Sequence, residues 1–243
     1  RWDLHWGFNP EPLKAEVGAG DIASMPTWIY RGFQNVGDDE GFMFTALGQD
    51  DTGGILWGPQ TLQAAQEQGV HLTEDYQIID EQLGQTWDEH TMRRLQPMTP
   101  QEIAQLRRWT PEQMGQRVVR HAELQWSSRA LLDAALPGCG AQMAPVIGLG
   151  LGQDRDQQAP IGNAHGFSIE WLKIPAGGQV SLHRLACQQV LTVHRGAVAI
   201  SVSNQALAPV DIEGNAITSI ANGHAEGWDS FAMPPEVWRS YRN

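Results

Sequence analysis

A short segment of this chain occurs twice. Residues 21–35 read DIASMPTWIYRGFQN and residues 229–243 read DSFAMPPEVWRSYRN. Asp, Met, Pro, Arg and Asn recur in place, and Ile29/Val237, Tyr30/Trp238 and Phe33/Tyr241 are alike. The offset is constant: Pro26 and Pro234 lie 208 residues apart (234 − 26). A repeat at such spacing points to duplication of a whole structural unit and constrains the fold more than any single motif.

The length of 243 residues admits one large domain or two of ordinary size. The 26 Gly and 14 Pro call for many turns, and hence for short strands. Hydrophobic content of 41% and a mean hydropathy of −0.36 fit a globular protein. No run approaches the ~18 apolar residues that span a bilayer, so no transmembrane segment is expected. The first residues lack a charged-then-apolar signal pattern. A net charge of −12 argues against nucleic acid as a partner, because phosphates need a basic footprint. Cys139 and Cys187 are too few for a disulfide framework. A cytoplasmic location is the default expectation, with one bridge left open.

Residues 20–57 read as β: residues 22–25, 29–33 and 42–47 are strand-like, and residues 55–57 form a further short candidate. The character changes from residue 59 to about 120, where Gln and Glu are frequent. Residues 59–68 predict a helix stopped by Gly69. Thr99-Pro100-Gln101-Glu102 is a capping box with Pro at the first helical position, predicting a helix over residues 100–108. Thr110-Pro111-Glu112-Gln113 repeats it in a weaker form. From residue 142, β signals return at 167–174, 189–193, 197–202 and 217–220.

Residues 177–196 read GGQVSLHRLACQQVLTVHRG. This spacing resembles the first signature of the cupin superfamily, G(X)5HXH(X)3–4E(X)6G, with Gly177, His183 and Gly196 in place, Leu185 at the second His and Gln189 at the Glu. The repeat resembles the second signature, G(X)5PXG(X)2H(X)3N. Gly20, Pro26 and Asn35 match in the first copy, with Trp28 for Gly and Arg31 for His. Pro234 and Asn243 match in the second, with Trp228 and Glu236 for the glycines and Arg239 for His. The resemblance covers residues 15–60 and 140–243 and implies an all-β bicupin. Two double-stranded β-helix (jelly-roll) barrels are expected, with a partly helical connector. The expected division is residues 1–58 as the C-terminal part of a first barrel, 59–125 as connector and 126–243 as a second barrel truncated at its C-terminal end. The first barrel lacks its copy of the first signature, so the chain reads as a fragment of a longer polypeptide.

In the family, two His and a Glu from the first signature and a His from the second hold a metal. A divalent ion needs three or four such ligands converging. Here His183 alone survives as a metal ligand; Leu185 cannot ligate, Gln189 is a poor ligand, and Arg239 is a permanent cation. In the first copy the visible ligand position is Arg31, again a cation. Strand alternation puts Gln189, Leu191 and Val193 on the inner face and His194 outside. The candidate ligand-binding residues are therefore His183, Gln189, Arg239, Tyr241 and Arg31. Each carries a plainer alternative: a barrel histidine bonded to a polar neighbour, an arginine in an internal pair or at the rim, an aromatic used for packing.

The leading functional expectation is a cupin with a degenerate metal site, acting as a binding or structural module. The first rival is a metal-dependent bicupin enzyme, dioxygenase-like, using Fe, Mn, Ni or Zn in a first-barrel segment absent from this chain. The second rival is a small carboxylate or anion binder using Arg31 or Arg239. The resemblance also implies a homodimer, since cupins associate through sheet edges.

Overall fold

The structure, a computed structural model, describes residues 1–8, 13–48, 54–162, 165–203, 210–211, 217–218 and 229–243. Trp228 and residues 219–220, singled out above, lie outside them. The chain divides into two compact units, Arg1–His121 and Ala122–Asn243. Both are built mainly of short strands in small antiparallel sheets, so the fold is all-β with a few short helices.

The first unit opens with β1 (Trp2–Trp6), β2 (Leu13–Val17), β3 (Ile22–Ala23) and β4 (Arg31–Asn35). Three of these form a sheet in the order β2-β1-β4. Then come α1 (Pro59–Glu67), β5 (Val70–Leu72), β6 (Ile78–Asp80), α2 (Pro100–Gln105), α3 (Pro111–Gly115) and β7 (Val118–Val119), which returns to pair with β3. The helix ends obey local chemistry. Gly69 takes the left-handed conformation after α1, and both Thr99 and Thr110 form reciprocal capping boxes. Trp6, Ile29 and Met114 make a buried cluster with Ala15, Met25 and Trp109 packed against it.

Three sequence expectations change here. Residues 42–47 and 55–57 form no strand, and Phe42, Phe44, Leu47 and Ile55 are exposed. Apolar residues alone do not make a strand, because its backbone groups need a neighbouring chain. Helix α2 ends at Gln105 instead of continuing to Arg108. Leu106 turns extended, Arg107 lies 4.2 Å over the Trp109 ring, and the Trp109 carbonyl accepts Trp6 Nε1–H at 3.1 Å. The hairpins β1–β2 and β5–β6 were not anticipated.

The second unit contains β8 (Gln142–Ile147), β9 (Ile169–Lys173), β10 (Gln179–Arg184), β11 (Gln189–Thr192), β12 (Ala197–Ser203), β13 (Val210–Asp211), β14 (Ile217–Thr218), β15 (Ser230–Met233) and β16 (Trp238–Arg242). One sheet runs β10-β16-β12-β13; β8–β9 and β11–β15 are separate pairs. Among the described residues these sheets do not close into a barrel. Val180, Val193, Val198, Ile200, Met233 and Tyr241 form the core with Ala141. Burying an aliphatic side chain of this size contributes about 1.5–3 kcal/mol.

The repeat extends well beyond the matching letters. Strand β1 pairs antiparallel with both β2 and β4, and β12 pairs antiparallel with both β13 and β16. The registers agree: Trp6 faces Arg31 and Leu4 faces Phe33, as Val202 faces Arg239 and Ile200 faces Tyr241. Trp28 and Glu236, at equivalent positions in the two turns, both adopt positive φ, 55° and 63°. This is a conformation that non-glycine residues seldom adopt. The two copies thus share strand order, register and an unusual backbone turn.

No helix among the described residues is long and apolar enough to cross a membrane. Cys139 is buried, Cys187 is exposed, and both are free thiols.

Candidate functional site

The candidate site lies inside the second unit and is set up by a bulge. Strands β10 and β16 pair with His183 opposite Arg239, and the register shifts between Val180 and His183. The displaced Ser181 N–H is taken by Asp133 Oδ2 at 2.5 Å. The Ser181 carbonyl accepts the His183 Nδ1 proton at 2.9 Å. The bulge therefore aims the imidazole and fixes its tautomer. The ring meets Tyr241 edge-on at 5.4 Å.

Arg239 is fully buried at 0% exposure, an expensive place for a cation. Each of its three nitrogens donates to a protein acceptor. Nη2 donates to Pro234 O at 2.7 Å and Nε to Val237 O at 3.2 Å, both in the turn between β15 and β16. Nη1 donates to Gln189 Oε1 at 3.2 Å. The same Gln189 oxygen accepts the Tyr241 hydroxyl at 2.6 Å. Gln189 stands on β11, which pairs with β15, while Arg239 and Tyr241 stand on β16. One amide oxygen thus ties two sheets together. Among the described residues no carboxylate pairs with Arg239.

The electrostatics follow from burial. Loss of water lowers the His183 pKa; the Ser181 carbonyl opposes this, Arg239 adds to the lowering, and Asp133 counters it. His183 is therefore held toward the neutral form. Burial raises the Tyr241 pKa far above the usual phenol range, so its hydroxyl remains a donor.

Four of the expected residues, His183, Gln189, Arg239 and Tyr241, come together here. Arg31 belongs to the other unit, where it lies exposed on β4. Leu185 follows β10 and uses its carbonyl to accept the Glu236 N–H at 2.8 Å. His194 meets the Trp171 ring, with centroids 5.0 Å apart. Among the described residues no cluster of three or more His, Cys, Asp or Glu could hold a metal. Gln189 Oε1 is already committed twice, and Arg239 puts a permanent positive charge against it. The residues present do not fit a divalent metal.

Sequence reasoning missed Glu170. Alternation along β9 puts it on the face that carries Leu172, which packs on the core. Its Oε2 is buried without a hydrogen-bond partner. Burial raises its pKa, against an opposing hydrogen bond from Ser168. Gly150, at φ +55°, makes room for it, because a Cβ there would collide with the carboxyl group. Alternation alone does not find it, because Ile169 and Trp171 make the opposite face of β9 equally apolar.

No family model, curated protein or solved structure matches this chain.

Proposed function

We propose that this chain is a two-copy, cupin-like jelly-roll protein whose second copy has exchanged a metal centre for a hydrogen-bonded knot, and that it acts as a binding or structural module. The observation that carries this reading is the network of Arg239, Gln189 and Tyr241. Two of its three members occupy positions where the resemblance calls for metal ligands. Three of the five guanidinium N–H groups go to Pro234 O, Val237 O and Gln189 Oε1, which favours a structural clamp over an open anion site.

Backbone geometry supports the cupin comparison. Gly20, Trp28, Gly177, Gly196 and Glu236 stand where the signatures call for glycine, and all five have positive φ. Where Trp28 and Glu236 replace glycine, the left-handed turn is kept. The shared register of β1–β2–β4 and β12–β13–β16 supports duplication.

The test rebuilds the ligand set. The combined variant Leu185→His, Gln189→Glu, Arg239→His gains saturable cobalt(II) binding, seen by visible absorption, while the parent chain shows none. A folded variant that binds no cobalt overturns the assignment of these positions to a former metal site.

A further inference from the structure

The two copies differ in how their strands are partnered. In the second unit β15 pairs with β11, and β16 pairs with β10. The first unit fills one of these places from later in the chain. Strand β7 pairs with β3 as β11 pairs with β15, with Val119 opposite Ile22 where Thr192 stands opposite Ser230. The place of β10 is filled by no described strand: β4 pairs on one side only, with β1.

The open side of β4 carries a defined set of backbone groups. Gly7 N–H donates to Tyr30 O and Val36 N–H donates to Arg1 O, each at 2.9 Å. Bonding to β1 therefore falls on the even-numbered residues, and Arg31, Phe33 and Asn35 turn their N–H and C=O groups outward. In the second copy the same groups meet β10. Asn243 N–H donates to Gly178 O at 3.0 Å, and Asn243 O accepts from Gly177 N–H at 3.2 Å. The side chains differ accordingly: Phe33 is 44% exposed where Tyr241 is 2% exposed. Among the described residues Arg31 has no ion-pair partner. Sheet edges are ordinarily defended by Lys, Pro or a bulge. The other edge strand of this sheet, β2, exposes Lys14 and Glu16. Strand β4 has neither Lys nor Pro, and its register with β1 is unbroken.

We infer that the open edge of β4 is a docking site for an extended segment of a partner polypeptide, added antiparallel as β10 is added to β16. The second copy supplies the template for its chemistry. Val180 opposite Tyr241 calls for a β-branched residue opposite Phe33. The unmatched charge of Arg31 calls for a carboxylate where His183 stands opposite Arg239. Six residues, the length of β10, span the edge. A second copy of this edge brings no carboxylate, since β4 reads RGFQN. Such a site makes the binding module proposed above specific. It rests on the shared register and not on the metal positions, which cobalt binding tests separately.

The test titrates the full chain with a peptide of residues 177–186 carrying His183→Glu, and follows the backbone amides of Arg31, Phe33 and Asn35 in ¹H–¹⁵N spectra. These amides shift saturably, with a dissociation constant on the order of 0.1 mM. Val180→Pro in the peptide removes the N–H that meets Phe33 and abolishes binding, with no demand on the folding of the chain. Arg31→Glu in the chain weakens the His183→Glu peptide several-fold and favours a peptide with His183→Lys instead. No saturable shift at these amides, equal binding of the Val180→Pro peptide, or indifference to Arg31→Glu overturns the proposal. Shifts of the same amides that grow with chain concentration in the absence of peptide assign the edge to a second copy, and also overturn it.

Discussion

Arg31 and Arg239 stand at equivalent positions of the two copies, yet Arg31 is exposed and Arg239 is completely buried. The sheets explain the difference. Strand β4 pairs only with β1 and is an edge among the described strands, whereas β16 lies between β10 and β12. The same residue type is a surface charge in one setting and a clamp in the other. Arg239→Ala strands the carbonyls of Pro234 and Val237, leaves the Gln189 oxygen to Tyr241 alone, empties a buried volume, and is expected to cost about 2–4 kcal/mol. Arg31→Ala is expected to stay within about 0.5 kcal/mol of the parent. Urea denaturation of both variants checks the contrast.

Tyr241→Phe keeps the core ring and removes one donor to Gln189. The expected loss is about 0.5–1.5 kcal/mol, smaller than that of Arg239→Ala because Arg239 still satisfies the amide oxygen. Thermal melts of the two variants side by side give the order.

Glu236→Gly should stabilise the protein by about 1 kcal/mol, because a residue at positive φ is relieved of backbone strain. The exposed Arg184–Glu236 pair lost in the exchange contributes little. Trp28→Gly tests the equivalent turn, since Trp28 is 68% exposed and gives up little packing. Denaturant midpoints lower than the parent's would show that these turns are not strained.

Two half-buried groups give stability opposite pH dependences. Glu170 has a raised pKa, so the folded state binds the extra proton; its contribution is intact below the ordinary value of 4.5 and is lost as pH rises through the folded value. His183 has a lowered pKa, so the unfolded state binds the extra proton; its contribution is intact above 6.5 and is lost as pH falls through the folded value. Glu170→Gln should therefore gain on the parent as pH rises above 4.5. His183→Gln should blunt the loss seen below 6.5. Melting temperatures across pH 4–8 read both differences, and parallel curves for parent and variants would remove these two groups from the account.

What was legible in the sequence was local or periodic. Thr99 and Thr110 announce their helices because a capping box is complete within four residues. The alternation of Gln189, Leu191 and Val193 marks a face whose last two members pack in the core. What was not legible depends on partners far along the chain. Nothing near Phe42 reveals that its segment lacks a ladder, and nothing near Arg31 or Arg239 tells an edge strand from a central one. Glu170 was hidden in a similar way, because Ile169 and Trp171 make the other face of its strand as apolar as its own.

The central claim is that Arg239 and Gln189 occupy a former metal site as a protein clamp. Elemental analysis of the chain, purified from medium supplied with Fe, Mn, Ni and Zn, tests this most directly. The account predicts far less than one metal ion per chain. A stoichiometric metal that is lost in His183→Ala would contradict it.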